Sequence, residues 1–187
     1  MNSTEQMNVR LMHVDMHEYF LTRINKAMST ENYIEASWII YSCLENRYFR
    51  TMEKLKNQCK YCRSKSKCNR KKKNELALKT KINCIKRLHE NNVKCISEAF
   101  RIELFEETKS WVKKRNDLMH DLLSLDIYEN TDVMFKESAE VGLKLLNETY
   151  TSCTEFRRLF YQDDYTFVFP ENAMDACNCK PQEKKDE

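Results

Sequence analysis

One glycine and two prolines in 187 residues leave this chain almost nothing to make turns with. Sheets and hairpins draw on those residues to reverse direction, so their scarcity excludes a β-rich fold and points to helices. The sequence also lacks any run of about 18 apolar residues, which excludes a membrane-spanning helix. The N-terminal stretch Met1 to Phe20 mixes charges with histidines and has no apolar signal core. The expectation is a soluble, cytoplasmic protein with no membrane partner. What the chain does have is nine cysteines. Without an export signal these read as thiols or metal ligands, not disulfides.

The net charge of +3 conceals an uneven distribution. Ten basic residues and no acid lie between Lys54 and Lys73, among them Lys65, Lys67, Arg70, Lys71, Lys72 and Lys73. The rest of the chain is therefore net acidic. A concentrated positive block on an acidic protein attracts polyanions by Coulomb steering and counterion release, which makes RNA a natural partner. A solvated charged loop is the alternative reading of the same block.

Apolar residues recur at helical spacing over most of the chain. Met12, Met16, Tyr19, Phe20, Ile24 and Ala27 stripe a first helix, and Ser29-Thr30-Glu31 offers capping residues for a restart. Ser37, Ile40, Tyr41, Leu44, Tyr48, Met52 and Leu55 stripe a second, with Glu45 at the border of the stripe, facing Arg115 or Lys114 as candidate partners. Leu78, Ile82, Ile85 and Leu88 predict a third between Glu75 and Asn91. The pattern resumes near Cys95 and runs to Leu125, with room for a break close to Arg115. Asn130-Thr131-Asp132 starts a last helix, Val133 to Tyr161, striped by Phe135, Ala139, Gly142, Leu146, Tyr150, Cys153, Phe156 and Phe160. Tyr165 to Phe169 reads as an extended strap. The fold class expected is all-α: an antiparallel bundle of four to five helices forming one domain, 1–169, with a basic Cys-rich insertion at 58–74 and a polar tail at 170–187. The aromatic content of the stripes suits a dimer face.

Arg115-Asn116-Asp117-Leu118-Met119-His120 carries the most chemistry. Cutting RNA without a metal needs a base for the 2′-hydroxyl proton, positive charge on the phosphorane oxygens and an acid for the departing 5′-oxygen. Histidine suits either proton transfer, because it titrates near neutral pH. Arginine suits the second task, since its guanidinium stays charged and presents a planar fork to phosphate. Asn116 is placed to hydrogen-bond phosphate or to hold His120 in the needed tautomer. At about 100° per residue Asn116 and His120 share a helix face, whereas Arg115 and His120 differ by roughly 140°. Arg115 must reach round, or the helix must start or distort nearby. One copy supplies one histidine, and two copies related by symmetry would supply separate acid and base. By spacing alone, the commoner reading of such a pair is a His120 that caps a helix end or pairs with Asp117 or Asp121.

Arg-Asn-x-x-x-His resembles the Arg-x4-6-His signature of the HEPN superfamily, including the asparagine after the arginine, and sits before the final helix of a helical chain. Tyr33 to Glu45 is similar to that family's early helix, an apolar run ending in an acid. The resemblance spans Tyr33 to Phe160 apart from the insertion. It implies a helical homodimer in which Arg115 and His120 of both copies form one cleft, with Asn116 supporting. It also implies metal-independent endoribonuclease activity in toxin–antitoxin or antiphage defence, no catalytic cofactor, and control by an antitoxin, another regulatory chain or an RNA. Family toxins paired with a nucleotidyltransferase often carry tyrosine two residues after the histidine. Leu122 stands there in this chain, which argues against adenylylation as the control. Some members only bind, so a non-catalytic RNA- or protein-binding module using the basic segment is the alternative. Lys114, beside Arg115, joins the basic residues as an expected RNA contact.

Cys59, Cys62 and Cys68 lie within the basic block. A Cys-x2-Cys pair is half of a tetrahedral zinc site, for which Cys84, His89, Cys177 or Cys179 offers a fourth ligand. Such a structural zinc would fold the insertion and fix its charges. The competing reading is a reduced loop whose lysines lower the thiol pKa. His13 and His17 read as surface or packing residues, and Cys43, Cys95 and Cys153 as small buried side chains.

Overall fold

A computed structural model describes residues 18–58, 77–122 and 131–162. Every regular element among them is a helix: α1 at 18–29, α2 at Tyr33–Gln58, α3 at Leu78–Glu90, α4 at Lys94–Ser97, α5 at Ile102–Asp121 and α6 at Thr131–Gln162. The all-α class expected from the missing turn residues holds. None of these helices is long and apolar enough to cross a membrane. Residues 59–74 of the expected insertion, the Tyr165 to Phe169 strap, His13, His17 and the 170–187 tail lie outside the described residues. The helices form two compact units, the first within Met1–Cys43 and Trp111–Leu146, the second within Leu44–Ser110 and Asn147–Glu187.

In the first unit, the α1–α2 junction differs from the expected cap. The Ser29 and Thr30 hydroxyls donate back to the Lys26 carbonyl at 2.9 and 3.0 Å, so they finish α1 and satisfy carbonyls its end leaves open. Glu31 then takes a left-handed φ of 57°. Asn32 starts α2: its Oδ1 accepts the Glu35 backbone N–H at 3.2 Å, and its Nδ2 donates to the Glu35 carboxylate at 3.1 Å. Glu35 also pairs with Arg23 of α1. Ala27, Ala36 and Ala139 pack together beside Met28 and Tyr33, small side chains that let three helices approach closely.

The chain's single glycine sits in this unit for a steric reason. A Cβ on Gly142 would lie 2.5 Å from Cζ2 and 2.7 Å from Cε2 of Trp111. The bare backbone admits the indole, whose Nε1 donates to the Ser138 carbonyl at 2.7 Å, one turn earlier on α6.

The second unit is built on aromatic and aliphatic packing. Leu78, Ile82, Ile85 and Leu88 of α3 are all buried, as their spacing predicts. Phe100 and Phe105 stack with centroids 5.5 Å apart, and His89 meets the Phe105 ring edge-on at 5.9 Å. Buried Tyr48 lies with its hydroxyl 3.5 Å from that of Thr108, and burial pushes the phenol up to about 12. Lys81 is 3% exposed and donates to Glu45 at 2.8 Å. Glu45 therefore takes its partner from α3, where Arg115 and Lys114 had been the expected candidates. Arg101 forks between Glu107 and Glu148, and hydrogen bonds to those carboxylates, Glu148 first, hold its pKa above the ordinary value. Contacts between α2 and α6 pair Arg47 with Tyr150, Thr51 with Cys153 and Lys54 with Tyr161, so these two helices run in the same sense here.

Candidate functional site

Helix α5 passes through the Arg115 motif without a break. Trp111, Val112, Arg115 and Leu118 are buried at spacings of one, three and three, which is the inner stripe of a helix. Arginine therefore occupies a position that the helical phase assigns to an apolar residue. Its residue surface is 6% exposed.

Two aromatic rings of α2, one turn apart, make the slot that receives the guanidinium. Its Cζ lies 4.6 Å from the centroid of Trp38 and 5.0 Å from that of Tyr41. Both distances fall within cation–π range. Nη1 donates to the Asn116 Oδ1 at 3.0 Å. Nε and Nη2 are buried and have no hydrogen-bond partner among the described residues. Burial lowers the Arg115 pKa and the Tyr41 hydroxyl opposes this, yet a guanidinium stays charged at any physiological pH. The result is a buried cation with two donors unused, an uncommon arrangement because each such donor is costly to leave unpaired.

The other motif residues stand on the outer face. His120 is exposed in the last turn of α5. Asn116 is half-buried, about 40° round the helix from His120. Within one chain the structure thus joins Arg115 to Asn116, while Arg115 and His120 lie on opposite sides of the boundary between core and solvent. Lys114 is exposed, and exposed Lys113 shares the Asn116–His120 face. Sequence reasoning missed Lys113 and the aromatic slot. The signal for the slot was present in Trp38 and Tyr41, three apart on α2, but only the docking of α5 reveals what they hold.

Lys65, Lys67, Arg70, Lys71, Lys72 and Lys73, with Cys59, Cys62 and Cys68, lie outside the described residues. Of the suggested fourth zinc ligands, Cys84 is buried, and the His89 Nε2 is 2.9 Å from the Phe100 carbonyl, a contact that occupies this nitrogen. No group of three metal-binding side chains occurs among the described residues. Cys43, Cys95 and Cys153 are buried thiols. Burial pushes Cys95 up to about 12 and raises Cys153, so neither is a nucleophile near neutral pH. Compared with family models, with curated proteins and with solved structures, the chain finds no match.

Proposed function

We propose that this chain is a metal-independent endoribonuclease of HEPN type, working as a homodimer in toxin–antitoxin or antiphage defence. The observation that carries the reading is the Arg115 guanidinium, charged, held by Asn116 and with two donors that no described residue uses. A phosphate supplies the acceptors that those donors lack. In the reaction, His120 takes the 2′-hydroxyl proton, the 2′-oxygen attacks the adjacent phosphorus, and Arg115 offsets the charge of the phosphorane. The 5′-oxygen leaves with a proton from His120 of the partner subunit, giving a 2′,3′-cyclic phosphate and a 5′-hydroxyl. Exposed Met134 and Val141, seven apart on one face of α6, support association of two copies. The basic block from Lys54 to Lys73, with Lys114, would hold the RNA backbone.

Purified protein should cut single-stranded RNA in the presence of a chelator, and His120→Ala should abolish the cut. Equal cleavage by both proteins would refute the assignment.

A second reading has its own observation. Burial of Arg115 between Trp38 and Tyr41 also suits a helical module that binds RNA or protein without turnover. It expects salt-sensitive RNA binding lost on replacing Lys71, Lys72 and Lys73 by alanine, with no cleavage under any condition.

A further inference from the structure

Trp38 is the one member of the Arg115 slot that remains largely in solvent, with 54% of its surface exposed. Tryptophan carries the largest apolar surface of any side chain, so leaving it outside gives up burial that the fold would otherwise use. One part of the indole lies over the Arg115 guanidinium, 4.6 Å from its centre. The remainder faces water.

We infer that Trp38 is a base-stacking platform: it takes one nucleobase of single-stranded RNA on its exposed surface while Arg115, beneath it, takes the neighbouring phosphate. Three observations converge on this occupant. Arg115 is a nine-tenths buried cation whose Nε and Nη2 have no partner among the described residues, which calls for an anion. The adjoining exposed surface is aromatic and flat, which suits the π-face of a base. Lys113 and Lys114, both exposed on the same helix as Arg115, extend the positive charge along the backbone path. A nucleotide carries an anion and an aromatic ring side by side, and the slot offers a receptor for each. Because Nε and Nη2 are covered, engagement requires the indole to shift from the guanidinium onto the base. Trp38 is the exposed and hence the movable partner. The inference rests on the nuclease reading only for its choice of RNA as the polymer.

The chain's two tryptophans make the test direct, since Trp111 is buried and serves as the constant signal. In a His120→Ala background, which prevents cleavage, a short single-stranded RNA should quench the tryptophan emission. Trp38→Phe in the same background should remove that quench and keep most of the affinity. Trp38→Ala should weaken binding about tenfold, equivalent to ~1.4 kcal/mol. Circular dichroism confirms that each variant is folded. Unchanged affinity in Trp38→Ala overturns the inference, and so does a change in its sedimentation without a change in RNA binding, which would assign the face to a second copy. The nuclease reading fails separately: a wild type that is quenched by RNA but never cuts it keeps the platform and loses the enzyme. A wild type that cuts RNA while Trp38→Ala cuts and binds equally well keeps the enzyme and loses the platform.

Discussion

Replacing Arg115 by methionine separates a functional arginine from a structural one. Methionine keeps an unbranched apolar chain that extends to the position of Nε, and its thioether is compatible with the aromatic Trp38 and Tyr41 beside it. What the substitution removes is worth about 1 kcal/mol for each of two cation–π contacts and about 2 kcal/mol for the charged hydrogen bond to Asn116. What it relieves is of the same size: two buried donors without partners, at about 2 kcal/mol each. The desolvation of the charge comes on top of that, and apolar replacement of buried ionic groups is often neutral or stabilising by about 1–4 kcal/mol. The balance predicts that Arg115→Met is as stable as the wild type or more stable by about 1–2 kcal/mol.

Urea unfolding followed by far-ultraviolet circular dichroism measures this without depending on the emission of Trp38, which the substitution itself perturbs. RNA cleavage and RNA binding are measured on the same preparations. The expected pair of results is unchanged or raised stability with lost cleavage and weakened binding, because the anion receptor is gone. A loss of about 2 kcal/mol or more would mean that the cation–π slot outweighs its unpaired donors. Arg115 would then be a structural residue, and its unused donors would carry no functional meaning.

Gly142→Ala gains about 1 kcal/mol of helix propensity but drives a methyl into an indole tethered to Ser138, an overpacking penalty of about 1–3 kcal/mol. Chemical denaturation should show a net loss, and a more stable variant would refute the steric account of the only glycine. Asn32→Ala should cost about 0.5–2 kcal/mol as a lost N-cap, with Asn32→Asp retaining most of it; equal losses in the two variants would remove Oδ1 from that role. Stability should also fall at alkaline pH. Tyr48 has its folded pKa raised from 10.0 to about 12, so its contribution is full below pH 10 and disappears as pH rises through 12. At 1.36 kcal/mol per unit, this amounts to about 3 kcal/mol. Cys95, raised from 9.0 to about 12, adds in the same direction. Denaturation midpoints across this range should decline less steeply in Tyr48→Phe than in the wild type, and parallel curves would contradict the assignment.

Helical phase made much of the core legible in advance. The α3 stripe is buried at every position named, and Phe135, Ala139, Leu146, Cys153, Phe156 and Phe160 all point inward, whereas Thr131 and Asp132, expected to precede a helix starting at Val133, belong to α6 itself. Tyr19 was placed on an apolar stripe yet is 58% exposed. Periodicity ranks positions by angle and cannot say how wide a face the neighbours will cover. The polar runs around Ser110 and Lys113 looked like room for a break in α5. They are the solvent side of a continuous helix whose inner side is Leu104, Phe105, Thr108, Trp111, Val112, Arg115 and Leu118. Pairing between helices was the least legible level. Glu45 at the edge of its stripe suggested Arg115 or Lys114 as a partner, but the packing of α3 gives it Lys81 instead.

Arg115 sits where those two levels meet. Its phase said inside and its chemistry said outside, and the slot of Trp38 and Tyr41 reconciles them at nearly zero net free energy. That near-balance has a consequence for the proposed reaction. An indole held over the cation by several kcal/mol of net attraction would have to be pulled away, and the phosphate would spend its interaction energy doing so. An indole whose contact with the cation is offset by the unpaired donors beneath it shifts at little cost, so charge-assisted hydrogen bonds to phosphate, about 1.5–3 kcal/mol each, decide the outcome. Asn116 holds the one donor already used and lies on the His120 side of the helix. Under the nuclease reading, the phosphate meets Nε and Nη2 of a guanidinium still held by Asn116 once the indole has shifted, and the asparagine beside the arginine ties that contact to the side of the helix where the proton carrier stands.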